Sequence, residues 1–195
     1  LDLCHENGIK VDLATATASP PPWLGLNHPS TLAVDDTGVR MAWGARQHFS
    51  PSSSVFKKFS LALVEKMVER YSEHPAVVMW HVGNEYGAHT HRCFSEESAD
   101  AFRAWLIEKY RDVDTLNERW GTAFWSQWYS TWDEVMPPRK TVYFPNPAQQ
   151  LDFKRFSSDA MLELYEPTAQ LAGFYDFVAD AAKGWDGRDL LRELG

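Results

Sequence analysis

The residues best equipped for chemistry are Asn84 and Glu85, in the stretch Pro75-Ala-Val-Val-Met-Trp-His-Val-Gly-Asn-Glu-Tyr-Gly87. A carboxyl can donate or accept a proton, and the neighbouring amide can hold a hydroxyl-bearing ligand in place. The stretch opens as a continuous apolar run, Ala76 to Trp80, then turns polar and tight at Gly83. Such a run predicts a strand buried on both faces, as in a parallel sheet. A carboxyl at the end of a parallel strand is held rigidly, and barrel enzymes keep their catalytic groups there. An apolar wall behind Glu85 would favour its neutral form, and a carboxyl still protonated near neutral pH is a general acid. An isolated Asn-Glu pair is equally read as a helix cap or a solvated pair, so its neighbours have to carry the argument.

The elements that must position this pair follow from the periodicity. Ile9 to Ala14 predicts a short strand interrupted by Asp12. Thr15 to Leu24 contains three consecutive prolines, which impose a stiff extended path and present Trp23 on a rigid loop. Gly25 to Ser54 reads as a long loop, a class that is usually functional in compact domains. Val55, Phe59, Leu63, Met67 and Tyr71 recur at helical spacing, with Phe56, Val64 and Val68 beside them. A serine at 52, 53 or 54 can cap that helix. Strand, loop, helix and the strand before Glu85 make a βαβ unit, which predicts an α/β fold with a parallel sheet. Further on, Ser95 starts a helix with Phe102, Leu106 and Tyr110 on one face. A shorter helix runs from about Asp114 to Trp120, ended by Gly121. Lys140 to Phe144 looks extended, and a helix then runs from about Pro147 towards Leu164. Gln170 to Gly195 again has helical spacing.

Four stretches, in order, resemble glycoside hydrolase family 42, the β-galactosidases of the retaining TIM-barrel clan. They are Leu13-Ala-Thr-Ala-Thr-Ala-Ser-Pro-Pro-Pro-Trp-Leu24, the stretch from Glu73 to Gly87, Leu116-Asn-Glu-Arg-Trp-Gly-Thr-Ala-Phe-Trp-Ser-Gln127, and Leu151-Asp-Phe-Lys-Arg-Phe-Ser-Ser-Asp159. The resemblance implies a (β/α)8 TIM barrel, present here in part over residues 1–165, with 166–195 as a divergent or truncated tail. It implies Glu85 as the acid/base, Asn84 as a sugar ligand, and Trp125 as the wall of the galactose site. It implies a second glutamate as nucleophile, for which no matching motif is found in this chain. The family often carries a zinc-binding cysteine cluster, of which only Cys93 is matched, with Ser50, Ser95 and Ser98 at the other positions. Hydroxyls are poor zinc ligands beside thiolates, so no metal is expected, although His89, His91 and Cys93 alternate as ligands might. The chemistry requires no organic cofactor.

Composition bounds the rest. A chain of 195 residues is short for a complete barrel, which needs about 250. Leu1-Asp-Leu-Cys-His-Glu-Asn-Gly8 reads as the end of a helix, so the chain is expected to begin part-way through a domain. A net charge of -8 argues against nucleic acid as partner. Two cysteines make no disulfide framework, and no leader or long apolar span is visible, so a cytoplasmic setting without membrane contact is expected. Nine tryptophans suit either a large aromatic core or a carbohydrate cleft. Three functional readings remain: a β-galactosidase acting on β-galactosides, with a homo-oligomeric full-length parent; a catalytically incomplete, sugar-binding remnant; or another retaining glycosidase of the clan, such as a mannanase or glucanase.

Overall fold

A computed structural model describes residues 1–173. The proposed helical spacing beyond Gly173 lies outside the described residues. The chain opens with helix α1 (Asp2–Glu6), and Gly8 follows its end at φ +68°, a conformation glycine adopts without penalty. Strand β1 (Val11–Ala14) pairs in parallel with β2 (Val77–His81), matching Val11 to Val77, Leu13 to Trp80 and Ala14 to His81. A register irregularity sits between Val11 and Asp12, where the sequence places its charged interruption. The strands are joined through α2 (Pro22–Asn27), a folded loop and α3 (Ser54–Tyr71), so the βαβ unit is observed.

The expectation of a strand buried on both faces is corrected. Val78 is 52% and Met79 46% exposed, because the described sheet has only two strands and no neighbour covers them. The proline run does not hold Trp23 in an extended loop either. Pro22 takes the first position of α2, where its missing N–H costs nothing. Trp23 sits on that helix, half exposed, edge-on to Phe59.

Helix α3 begins where the serines allow: the Ser53 hydroxyl accepts from Phe56 N, and Glu97 reaches across to accept from Ser54 N at 2.8 Å. Its buried stripe is Phe56, Ser60 and Val64, whereas Phe59 and Leu63 face outwards. The packing partners explain the difference, since α6 (Pro147–Leu171) and the turn at Pro29–Thr31 both contact α3. The long loop is not irregular throughout. It folds back on itself through isolated bridges Leu32–Phe49 and Val34–Arg40, and it buries Leu32, Ala33, Val34 and Phe49.

Helices α4 (Glu96–Tyr110) and α5 (Val113–Trp120) start at Ser95 and Asp112, whose side chains accept from Ser98 N and Thr115 N. Gly121 ends α5 in the left-handed conformation. Residues Lys140 to Phe144 form no strand. Helix α6 (Pro147–Leu171) runs past Leu164 and through Pro167, crossing the boundary expected at 165 without a break. Proline forfeits a backbone bond inside a helix. Here Leu164, Tyr165, Thr168 and Ala169 are all buried on either side of it, and that packing holds the helix together. Among the described residues two cores result. One gathers Phe94, Phe102, Leu106, Leu116, Trp120 and Phe153; the other gathers Leu24, Phe49, Phe56, Val82, Leu164 and Tyr165.

Candidate active site

The strand β2 delivers the chain to Val82, which is buried, and the backbone then breaks upward into the loop 83–92. Thr15, at the end of β1, fastens this exit: its N–H donates to His81 O and its hydroxyl to Val82 O at 2.9 Å. Gly83 is required by close approach. A Cβ there would lie 2.7 Å from Tyr86 Cε1 and 3.0 Å from Tyr165 Cε1, and the two rings pack edge to face. Burial, with Tyr86 adding to it, pushes the Tyr165 phenol up to about 12, so it stays protonated at physiological pH.

Glu85 stands four residues beyond β2, at φ +50°, a left-handed conformation that non-glycine residues adopt at a cost. Its carboxylate is paired with the Arg46 guanidinium; the two side chains are 55% and 40% exposed. Arg46 Nε also donates to His89 Nε2 at 2.9 Å. The apolar wall expected behind Glu85 is therefore absent among the described residues, and a cation stands in its place. Asn84 is half-buried, and among the described residues its side-chain amide makes no hydrogen bond. The pair is thus brought to one strand end as expected, with the Asn84 amide open to a ligand.

Two residues of this site were not singled out from sequence. Arg46 and Gln47 come from the long loop, and Gln47 is 4% exposed with its side-chain amide donating to Asn84 O and Glu85 O. The only signal available was the loop's length. Trp125, the expected wall of the galactose site, lies in the segment after α5. It is 70% exposed, and its ring partners are Phe124 and Tyr143, neither from the Glu85 loop.

Below the loop, Ser50, Cys93, Ser95 and Ser98 do converge. Ser95 Oγ lies 3.2 Å from Ser98 Oγ, Cys93 Sγ 3.4 Å from Ser95 Oγ, and Ser50 Oγ 3.4 Å from Ser98 Oγ. Val34 N donates to the sulfur. Burial alone would push the Cys93 thiol up, but hydrogen bonds from Ser50, Ser95 and Ser98 outweigh it and hold the thiol below its ordinary value. One sulfur and three hydroxyls do not fit zinc, which takes thiolate, imidazole or carboxylate ligands. Among the described residues, no three histidine, cysteine, aspartate or glutamate side chains are grouped to hold a metal. Metal analysis of the purified chain is expected to find far less than one zinc per chain. Stoichiometric zinc would contradict this and put His89 or His91 forward as ligands.

Comparison with known proteins decides the family. The β-galactosidase model of glycoside hydrolase family 42 matches residues 1–174. The chain belongs to glycoside hydrolase family 42. Among curated family 42 relatives, β-galactosidase LacZ of Heyndrickxia coagulans is 49% identical over 166 residues, which is 85% of this chain and 25% of the relative. β-Galactosidase Bga of Halorubrum lacusprofundi is 41% identical over 186 residues, 95% of this chain and 26% of its own length. The crystal structure of β-galactosidase from the psychrophilic Marinomonas ef1 superposes with a TM-score of 0.85 at 41% identity, covering 88% of this chain and 26% of that one. The chain therefore spans about a quarter of the length of the family 42 relatives it matches.

Proposed function

We propose that this chain supplies the acid/base half of a retaining β-galactosidase site. The observation that carries the proposal is the Glu85 carboxylate, held by Arg46 at the end of a parallel strand in a chain of this family. The βαβ unit is then one repeat of a (β/α)8 barrel. Retention needs two carboxyls about 5–5.5 Å apart across the scissile bond. Glu85 protonates the departing oxygen and afterwards takes the proton of the attacking water. The Asn84 amide, open to solvent, binds the 2-hydroxyl, whose hydrogen bond strengthens as charge builds at the anomeric carbon. Trp125 offers an exposed indole for the apolar face of a sugar. The second glutamate belongs to a strand that this chain does not contribute. No metal or organic cofactor takes part, and nucleic acid is not a partner.

The setting proposed is cytoplasmic, with the full-length enzyme a homo-oligomer. In support, Cys4 and Cys93 are both unpaired, and among the described residues no helix is long and apolar enough to cross a membrane. Taken by itself the chain is catalytically incomplete, a reading favoured by its covering 25% of a relative such as LacZ. The substrate is tested with a panel of chromogenic glycosides on a full-length enzyme carrying this sequence. The β-galactoside is expected to be turned over about a hundredfold better than the β-mannoside or β-glucoside, since a site built to bond one hydroxyl rejects its epimers. Preference for mannoside or glucoside would move the chain to a different activity within the clan.

A further inference from the structure

We infer that Gln47 is the positioning residue for the Glu85 carboxyl. This rests on the reading of Glu85 as the acid/base. Gln47 uses every polar group it has. Its Nε2 donates to Asn84 O at 2.5 Å and to Glu85 O at 3.2 Å, and its Oε1 accepts from His89 N at 3.3 Å. Its own N–H donates to Ala18 O at 2.7 Å, and its carbonyl accepts from the Thr90 hydroxyl. One buried side chain and its peptide thus tie the loop after β1 to both limbs of the Glu85 loop.

The bonds fall where the backbone most needs them. Glu85 lies at φ +50°, and a non-glycine residue holds that conformation only when its surroundings over-determine it. Gln47 lies at φ +57° itself, so two strained residues face each other across the amide. Turning the Glu85 peptide back to an ordinary conformation would swing its carbonyl off Nε2 and its side chain away from Arg46. The adjacency is also economical: Arg46 grips the carboxylate while the next residue grips the backbone that bears it. A buried amide left without these carbonyls would lose acceptors it cannot replace from solvent, so the arrangement is all or none.

The test uses the 195-residue chain and nuclear magnetic resonance. Gln47→Met keeps the length and removes every hydrogen bond of the side chain. Gln47→Glu keeps the acceptor for His89 N but turns an oxygen on the two carbonyls. In both variants the Arg46 Nε–H is expected to exchange with solvent about tenfold faster, and the Glu85 carboxyl carbon to move towards the shift of a free glutamate, while amides in α4 and α6 keep their protection. If Gln47→Met does not fold, Gln47→Glu carries the measurement. Unchanged Arg46 and Glu85 signals would overturn the inference, as would faster exchange spread evenly over α4 and α6, which would mean only a general loss of stability. The readouts report the geometry of Glu85, not turnover. If they respond as expected while Glu85 proves not to be the acid/base, the functional reading falls and the positioning by Gln47 stands.

Discussion

Replacing Glu85 by glutamine in the full-length enzyme is expected to lower kcat/KM on a galactoside with a poor leaving group by about 10²–10⁴-fold, the usual worth of a positioned general acid. That is about 3–5 kcal/mol of transition-state stabilisation. The loss should depend on the leaving group. A dinitrophenyl galactoside departs without protonation, so its first step should be nearly spared, and deglycosylation should then limit turnover for want of a base. Azide added to Glu85→Ala should restore turnover of the activated substrate and yield the β-galactosyl azide, because the small anion occupies the space of the lost carboxylate and needs no base. Equal losses on good and poor leaving groups, with no rescue, would show that Glu85 does not transfer the proton. The Arg46 pair bears on the design of the test: glutamine retains the shape of the side chain but ends the ion pair, so Arg46→Gln, which ends the pair and keeps the carboxyl, serves as the control for its loss.

The second large effect concerns stability. Asp152 on α6 is almost wholly buried, yet it is fully partnered. Lys109 pairs with one oxygen, and Tyr110 OH at 2.5 Å and Trp120 Nε1 at 2.9 Å donate to the other. These donors come from α4 and α5, so one carboxylate joins three helices around the core that holds Phe102 and Phe153. Asp152→Ala leaves a buried indole N–H and a phenol unsatisfied and is expected to cost about 3–5 kcal/mol in urea unfolding of the chain. Burial would raise the Asp152 carboxyl, but its bonds to Lys109, Tyr110 and Trp120 outweigh burial and hold it below its ordinary value of 3.8. A depressed folded value means that the stabilisation is complete above pH 3.8 and is lost as the pH falls through the folded value. The gap between wild type and Asp152→Asn should therefore be wide at pH 6 and narrow steadily in acid. A gap independent of pH would show that the charge contributes nothing.

Much of this was legible in the chain. Helix starts at Ser53 and Ser95 and the stop at Gly121 depend on local capping chemistry, which a few residues specify, whereas α5 starts at Val113 with Asp112 as its cap, ahead of the start read at about Asp114. The parallel pairing of β1 and β2 follows from strand, crossover helix, strand. What escaped sequence reasoning is what depends on distant partners. Arg46 and Gln47 sit 39 and 38 residues from Glu85 in a loop without periodicity, and nothing local points them at it. Periodicity marks the apolar residues of α3 but not which of them are covered; with α6 packed against it, the buried stripe is Phe56, Ser60 and Val64. Pro167 reads as a breaker by propensity, but the burial of Thr168 and Ala169 overrides it. The outward aromatic group of Phe124, Trp125, Tyr143 and Phe144 could not be told from a core by composition, since both use the same residues.

With Glu85 as the proposed acid/base, the nucleophile has to come from another part of the enzyme. The other glutamates named here, all among the described residues, fit that reading. Glu97 caps α3, Glu134 accepts from Ser130 N and Thr131 N in a short turn, and Glu163 and Glu166 lie within α6. The most direct test incubates the 195-residue chain with an activated 2-deoxy-2-fluoro-β-galactoside and weighs the intact protein. The expected result is no mass gain and no turnover of an aryl β-galactoside at enzymatic rates. A single galactosyl adduct on any residue of this chain, formed with turnover, would contradict it and name the nucleophile.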